Sequence, residues 1–262
     1  MSGQQPIAAG PAVGVMQQDW EQRARENARF YICTDIPDDE ASFYASGARD
    51  YDRHVRPFLR AHSFDPASKV ALEIGCGIGR MTRCFAQEFA EVIGVDVSPT
   101  MIEQARKSQL PRAHFLAGSG QDLAGVADGS VDFAFSFIVF QHIPEKNAIL
   151  RYVEEAGRVL RPGGLFRFHL NGLPHVEFGG YLLESYLSDS PRLPVVLRGR
   201  IPMVRRRRMD TWMGHPVSVG DVRGACRRGG LEITEAAGRW TAEMWVGGRT
   251  IAVGNSDGKA IP

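Results

Sequence analysis

The chain has 262 residues, 44% hydrophobic and 23% charged, so it is long enough for one large domain, or a domain with an appendage, around a well-filled core. Its net charge of +1 excludes a global field for capturing nucleic acid or an anionic membrane, and no apolar run is long enough to span a bilayer. The four cysteines, Cys33, Cys76, Cys84 and Cys226, form no C-x-x-C pair, which argues against a structural zinc site or other bound metal and for a reducing, cytoplasmic setting.

Met1 to Gln17 has no basic start followed by an apolar core, so no secretion signal is read there. It reads as a loose tail rich in Gly, Pro, Gln and Ala. Asp19 to Phe30 is mostly good helix formers, with Trp20, Ala24 and Ala28 on one face. Pro37-Asp38-Asp39-Glu40 marks a helix start, and Arg49 to Ala61 reads as a helix interrupted by Pro57. Residues 1–64 are therefore expected to form a tail and helical cap on a main domain at 65–262.

From Lys69 strand and helix alternate. Strands are expected at Val70–Ile74, Glu91–Val97, Ala113–Ala117, Val131–Phe137 and Leu165–Leu170, and helices at Arg80–Phe89, Pro99–Lys107 and Lys146–Leu160. Arg161-Pro162-Gly163-Gly164 is read as the stop of the last of these helices. Such alternation implies an α/β fold with a parallel sheet covered on both faces. The rhythm breaks between Asn171 and Met213, which is taken as an inserted lid (171–213). It resumes with a helix at Val217–Arg228 and strands at Leu231–Ala236 and Thr241–Val253.

The most informative run is Glu73-Ile74-Gly75-Cys76-Gly77-Ile78-Gly79-Arg80. An apolar strand ends in an acid, and three alternate glycines let the backbone approach a ligand that any Cβ would block. A dinucleotide fingerprint would need its third glycine at position 80, which is Arg80. Val92 to Asp96 is a second apolar strand ending in a carboxylate, a group that can accept two ribose hydroxyls.

In order and spacing, residues 70–170 resemble the class I S-adenosylmethionine-dependent methyltransferases, of the small-molecule, type 11/12-like kind. The resemblance rests on Glu73–Gly79, on Val92–Asp96 with Val97-Ser98-Pro99-Thr100-Met101, on Gly118–Leu123, on Val131–Phe137 with Gln141-His142-Ile143-Pro144, and on Arg161–Gly164. It implies a Rossmann-like, doubly wound, seven-stranded sheet with the last strand antiparallel, and S-adenosyl-L-methionine as cofactor. It places Glu73, Gly75, Cys76 and Gly77 at the methionine end, Asp96 on the ribose, and Val97 and Met101 beside the adenine. The loop of Gly120, Gln121 and Asp122 falls at the adenine edge, with either Gln121 or Asp122 accepting from the exocyclic amine. Phe137 and Gln141 fall beside the methionine moiety.

Methyl transfer from a sulfonium is an in-line displacement whose main demand is positioning without water. A hydroxyl acceptor needs a base, and His142 is the candidate, with a capping or packing role as its alternative. His169 reads as a half-buried strand histidine, with a place facing the pocket as its alternative, and His175 and His215 as surface histidines that a lid would otherwise bring to the substrate. The run Arg198, Arg200 and Arg205–Arg208 reads as a solvated or salt-bridged lid segment, with phosphate or RNA binding, or a corner for an anionic group in an apolar substrate pocket, as its alternatives. The fourth strand is not followed by Asn/Asp-Pro-Pro-Tyr or Pro-Cys, which argues against adenine-N6, glutamine-amide and cytosine-C5 methylation. A small-molecule acceptor is expected. The competing readings are a nucleic-acid or protein methyltransferase, a nicotinamide-dependent oxidoreductase, and a cofactor-binding protein without catalysis.

Overall fold

In the computed structural model, residues 11–172, 214–239 and 241–251 are described. Seven strands among them make one sheet: β1 (Val70–Ile74), β2 (Glu91–Asp96), β3 (Ala113–Ala117), β4 (Val131–Ser136), β5 (Leu160–Leu170), β6 (Leu231–Ala237) and β7 (Met244–Thr250). Their order is β3-β2-β1-β4-β5-β7-β6. The first five pair in parallel, and β7 is antiparallel to both β5 and β6. This is the seven-stranded α/β architecture that the sequence implies.

Side-chain alternation along the strands sends two sets of apolar groups to opposite faces. Phe133 and Phe135 of β4 join Phe85, Phe89, Phe58 and Tyr51 on one face. Ala134 of β4, with Phe166 and Phe168 of β5, joins Ile149, Val153 and Ala156 on the other. The first face is covered by α2 (Glu40–His54), α3 (Arg56–Ala61) and α4 (Thr82–Glu88), and the second by α6 (Lys146–Val159) and α7 (Val219–Arg228). Helix α5 (Pro99–Lys107) follows β2, with Ser98 as its N-cap accepting from Met101 N–H at 3.1 Å.

Three local expectations are corrected. The loose tail to Gln17 is helical from Pro11: α1 (Pro11–Ile32) buries Val13 and Met16 against the main core. This helix is interrupted at Asn27, whose side chain accepts from the Phe30 N–H and restarts the coil. Pro57 does not interrupt a helix but sits in the first turn of α3, where its missing N–H costs nothing, while α2 already starts at Glu40, capped by Asp39. Finally, Arg161–Gly164 does not terminate α6. The helix ends at Val159, Leu160 already pairs with Val131, and the Pro-Gly-Gly run falls where the β4–β5 register shifts. Most of the expected lid, with His175 and Arg198, Arg200 and Arg205–Arg208, lies outside the described residues.

Candidate functional site

The glycine run begins where β1 ends. The Gly75 and Cys76 N–H groups both donate to the Val95 carbonyl, at 2.7 and 3.1 Å, which folds the turn over the end of β2. Gly75 and Gly77 have φ of +75° and +53°, a region that disfavours side chains. A Cβ on Gly75 would lie 2.2 Å from the Val139 side chain, and one on Gly77 would lie 2.7 Å from Ile32 Cδ1. The turn is thus bare backbone pressed between α1 and the loop after β4. Helix α4 starts at Thr82, two residues later than the sequence suggests.

Two carboxylates flank this turn. Glu73 is buried and accepts a 2.5 Å hydrogen bond from the Thr82 hydroxyl. Burial pushes its carboxyl up to about 8, against the pull of Thr82 and of the Arg80 charge, with the Asp96 charge adding to the rise. Asp96 accepts from Gly77 N–H at 2.8 Å on one oxygen and from Ser98 N–H at 2.9 Å on the other. Burial raises its pKa too, although the backbone donors Ser98, Gly77 and Val97 work to lower it. Each oxygen keeps a further lone pair for a ligand donor. Burial holds the Cys76 thiol well above its ordinary range, so it contributes shape and no nucleophile.

These groups open into one cavity of about 620 Å³. Of the residues singled out from sequence, Glu73, Gly75, Cys76, Gly77, Asp96, Val97, Met101, Gly120, Phe137, Gln141 and His142 line it. Gln121 and Asp122 are not among the lining residues. Asp122 accepts instead from Ser119 Oγ at 2.7 Å and Ala124 N–H at 3.3 Å, inside its own loop. That loop still reaches the cavity through Gly120, whose φ of +82° lets it pack beneath Met16, Val13 and Val97.

Several wall residues carried no local sequence signal. Helix α1 forms a roof with Met16 and Trp20, and its last residues, Tyr31 and Ile32, line the far end. Glu21 fastens that roof to the start of α5, accepting from Ser98 Oγ, Thr100 Oγ1 and Thr100 N–H at 2.6 to 3.1 Å. Burial acts to raise the Glu21 pKa, but those bonds and Arg25 outweigh it and hold it down to about 2. Arg80, the residue that breaks the dinucleotide spacing, is buried and paired with Asp50 at 2.5 Å and Ser46 at 3.1 Å.

The loop after β4 supplies the opposite wall. His142 lies in a 3-10 turn (Phe140–His142), and is buried under the Trp20 ring in an edge contact of 5.3 Å. Gln141 Nε2 lies 3.5 Å from His142 Nε2. The loop backbone is anchored by Gly214 N–H on the Gln141 carbonyl and His215 N–H on Ile143 at 2.8 Å. Ile138, at the lip, is held at φ +55°, an uncommon state for a β-branched residue. Among the described residues no group of three or more His, Cys, Asp or Glu is placed to hold a metal ion, and no helix is long and apolar enough to cross a membrane.

Residues 72–168 match the family model of a methyltransferase domain. A ubiquinone biosynthesis O-methyltransferase of Xanthomonas axonopodis pv. citri is 32% identical over 114 residues, 42% of this chain and 46% of that protein. An uncharacterized methyltransferase of Mycobacteroides abscessus is 37% identical over 154 residues, 53% of this chain and 58% of that protein. The chain thus spans about half the length of these relatives. Magnesium protoporphyrin IX methyltransferase from Synechocystis PCC 6803, solved with bound SAH, shares the fold with a TM-score of 0.61 at 15% identity, covering 91% of this chain and 99% of that one. A SAM-dependent methyltransferase of Methanosarcina mazei superposes with a TM-score of 0.54 at 18% identity, covering 76% and 99%.

Proposed function

We propose that the chain is a class I S-adenosylmethionine-dependent methyltransferase, in keeping with the methyltransferase domain matched at residues 72–168, and that it methylates a hydroxyl of a small-molecule acceptor. The observation that carries this reading is the cavity whose lining gathers Glu73, the bare glycine turn and Asp96 together with Gln141 and His142. The name of the Xanthomonas relative, an O-methyltransferase, supports an oxygen acceptor.

When bound, S-adenosylmethionine would supply a methyl group on a positively charged sulfur, which takes back the electron pair of the broken S–CH3 bond and becomes a neutral thioether. The residues present fit it. Gly75 and Gly77 offer a surface without side chains, Asp96 has acceptor capacity for a diol, and Glu73 is an acid for the amino group. Val97, Met101 and Gly120 make an apolar slot, and Phe137 and Gln141 stand at the reacting end. Arg80, already paired with Asp50, keeps further guanidinium N–H groups for an anionic end.

His142 takes the acceptor's hydroxyl proton as the O–CH3 bond forms and passes it to solvent. Trp20 covers His142 and keeps water from the reacting atoms. The division that goes with this reading is a cap at 1–64 on a methyltransferase domain at 65–262. A cytoplasmic location goes with it too, since all four cysteines are unpaired.

Calorimetry with S-adenosylmethionine and with NAD tests the donor. Micromolar binding of NAD without binding of S-adenosylmethionine overturns the reading.

A further inference from the structure

Among the described residues, His169 is the one histidine buried with both ring nitrogens unpaired. It is 2% exposed, and neither ring nitrogen has a hydrogen-bond partner among the described residues. A buried polar group left unpaired is costly, and a native chain that keeps one commonly reserves it for a ligand. Burial, aided by repulsion from His54 and His142, lowers the ring to about 4, so it is neutral near pH 7 and offers one donor and one acceptor.

Its surroundings are planar. His169 sits opposite Trp245 in the β5–β7 register, with ring centroids 5.1 Å apart. Phe137 meets it edge-on at 5.4 Å and stacks on Trp245 at 5.5 Å with 16° between planes. His54, at the end of α2, stacks on the same indole at 4.6 Å and 20°. Phe137 also lines the cavity, so the cluster and the cavity share a wall. Phe137 is half-buried, and its ring stands between His169 and the cavity, so a rotamer change of Phe137 uncovers His169 from that side.

We propose that His169 with Phe137, Trp245 and His54 forms the acceptor subsite, and that the acceptor is a planar aromatic ring bearing a hydroxyl that hydrogen-bonds to His169. The inference rests on the methyl-transfer reading and adds the substrate class. The acceptor ring stacks where Phe137 now lies on Trp245, 16° from its plane, while His169, inclined 54° to Trp245, hydrogen-bonds its edge and fixes its rotation, so that a hydroxyl faces His142. His169 thus positions the acceptor; it is not the base. A ring without the hydroxyl leaves the imidazole unpaired and is rejected for that reason.

The test uses the full chain with the demethylated cofactor bound, and catechol and trans-1,2-cyclohexanediol as probes that share adjacent hydroxyls but differ in planarity. Calorimetry is expected to find catechol bound roughly tenfold or more tighter than the diol, and His169→Phe is expected to weaken catechol by roughly tenfold while cofactor affinity stays unchanged. His169→Gln, which retains a polar group, is expected to recover most of that loss. In the unmodified protein, the ring 15N resonance of His169 is expected to shift when catechol is added, a readout that needs no folded variant. Equal binding of the two probes, an unmoved resonance, or a His169→Phe protein that binds catechol normally overturns the subsite. Failure of the demethylated cofactor to bind at all overturns the methyl-transfer reading instead.

Discussion

The Thr82 hydroxyl donates a 2.5 Å hydrogen bond to Glu73, joining the first residue of α4 to the fourth residue of β1 beneath the glycine turn. Without a ligand this neutral donor is the side chain's hydrogen-bond partner, and burial keeps its carboxyl protonated up to about pH 8. The folded value lies above the unfolded value near 4.5. The contribution of this one group to stability is therefore greatest below about 4.5, falls as pH rises through the window, and levels off above about 8. Glu73→Gln is expected to flatten that fall, raising Tm at pH 8 and leaving it unchanged at pH 4.5. The same substitution is expected to weaken the donor. Binding an ammonium group at pH 7 should also release a proton, seen as a buffer-dependent calorimetric enthalpy that the Gln variant lacks.

Asp96 holds Gly77 and Ser98 through its two oxygens. Asp96→Ala is expected to weaken cofactor binding by roughly tenfold or more, about 1.4 kcal/mol, through loss of charge-assisted bonds and of the turn's anchor. Asp96→Asn should keep one anchor and lose less. Unchanged affinity in the Ala variant removes Asp96 from the site.

For His142, the expected signature is a split between binding and turnover. His142→Gln should reduce kcat by roughly two orders of magnitude or more, as loss of a general base does, while cofactor Kd stays within about twofold. Trp20→Ala should reduce kcat less and admit water beside His142. A His142→Gln enzyme with normal kcat shows that no base is needed.

Ile138 pays a steric cost at φ +55° with its side chain 40% exposed. Ile138→Gly removes a cost of roughly 1–2 kcal/mol against an entropic loss of roughly 0.5–1 kcal/mol, so urea unfolding should show a slight gain in stability. A clear destabilisation shows instead that the Ile side chain packs in a way that outweighs its backbone.

Elements with purely local signals were legible. The strands at Val70–Ile74 and Ala113–Ala117, and the helix at Pro99–Lys107 with Ser98 before it and Pro99 at its start, lie where the apolar runs and the cap put them. The start of α1 was illegible because Pro11–Gln17 has neither cap nor clear period, and becomes a helix only through Val13 and Met16 in the core. In the cavity, residues within the glycine and β4 motifs could be found from spacing. Trp20, Tyr31 and Asp50 could not: the apolar face of the first helix was visible in Trp20, Ala24 and Ala28, but nothing in these segments tells that they fold back onto the glycine turn. Gln121 and Asp122 show the opposite error: their loop reaches the site through the backbone of Gly120, while the Asp122 carboxylate turns back on its own loop.

The fastening of α1 at its middle, by Glu21 on α5, and at its last residue, by Ile32 on the bare face of Gly77, has a kinetic consequence. A ligand beneath this roof is expected to leave as the helix peels back, its residence time following the melting of this one segment more than the stability of the sheet. Amide hydrogen exchange should then find α1 opening well before β1 and β4, at a rate that matches cofactor dissociation.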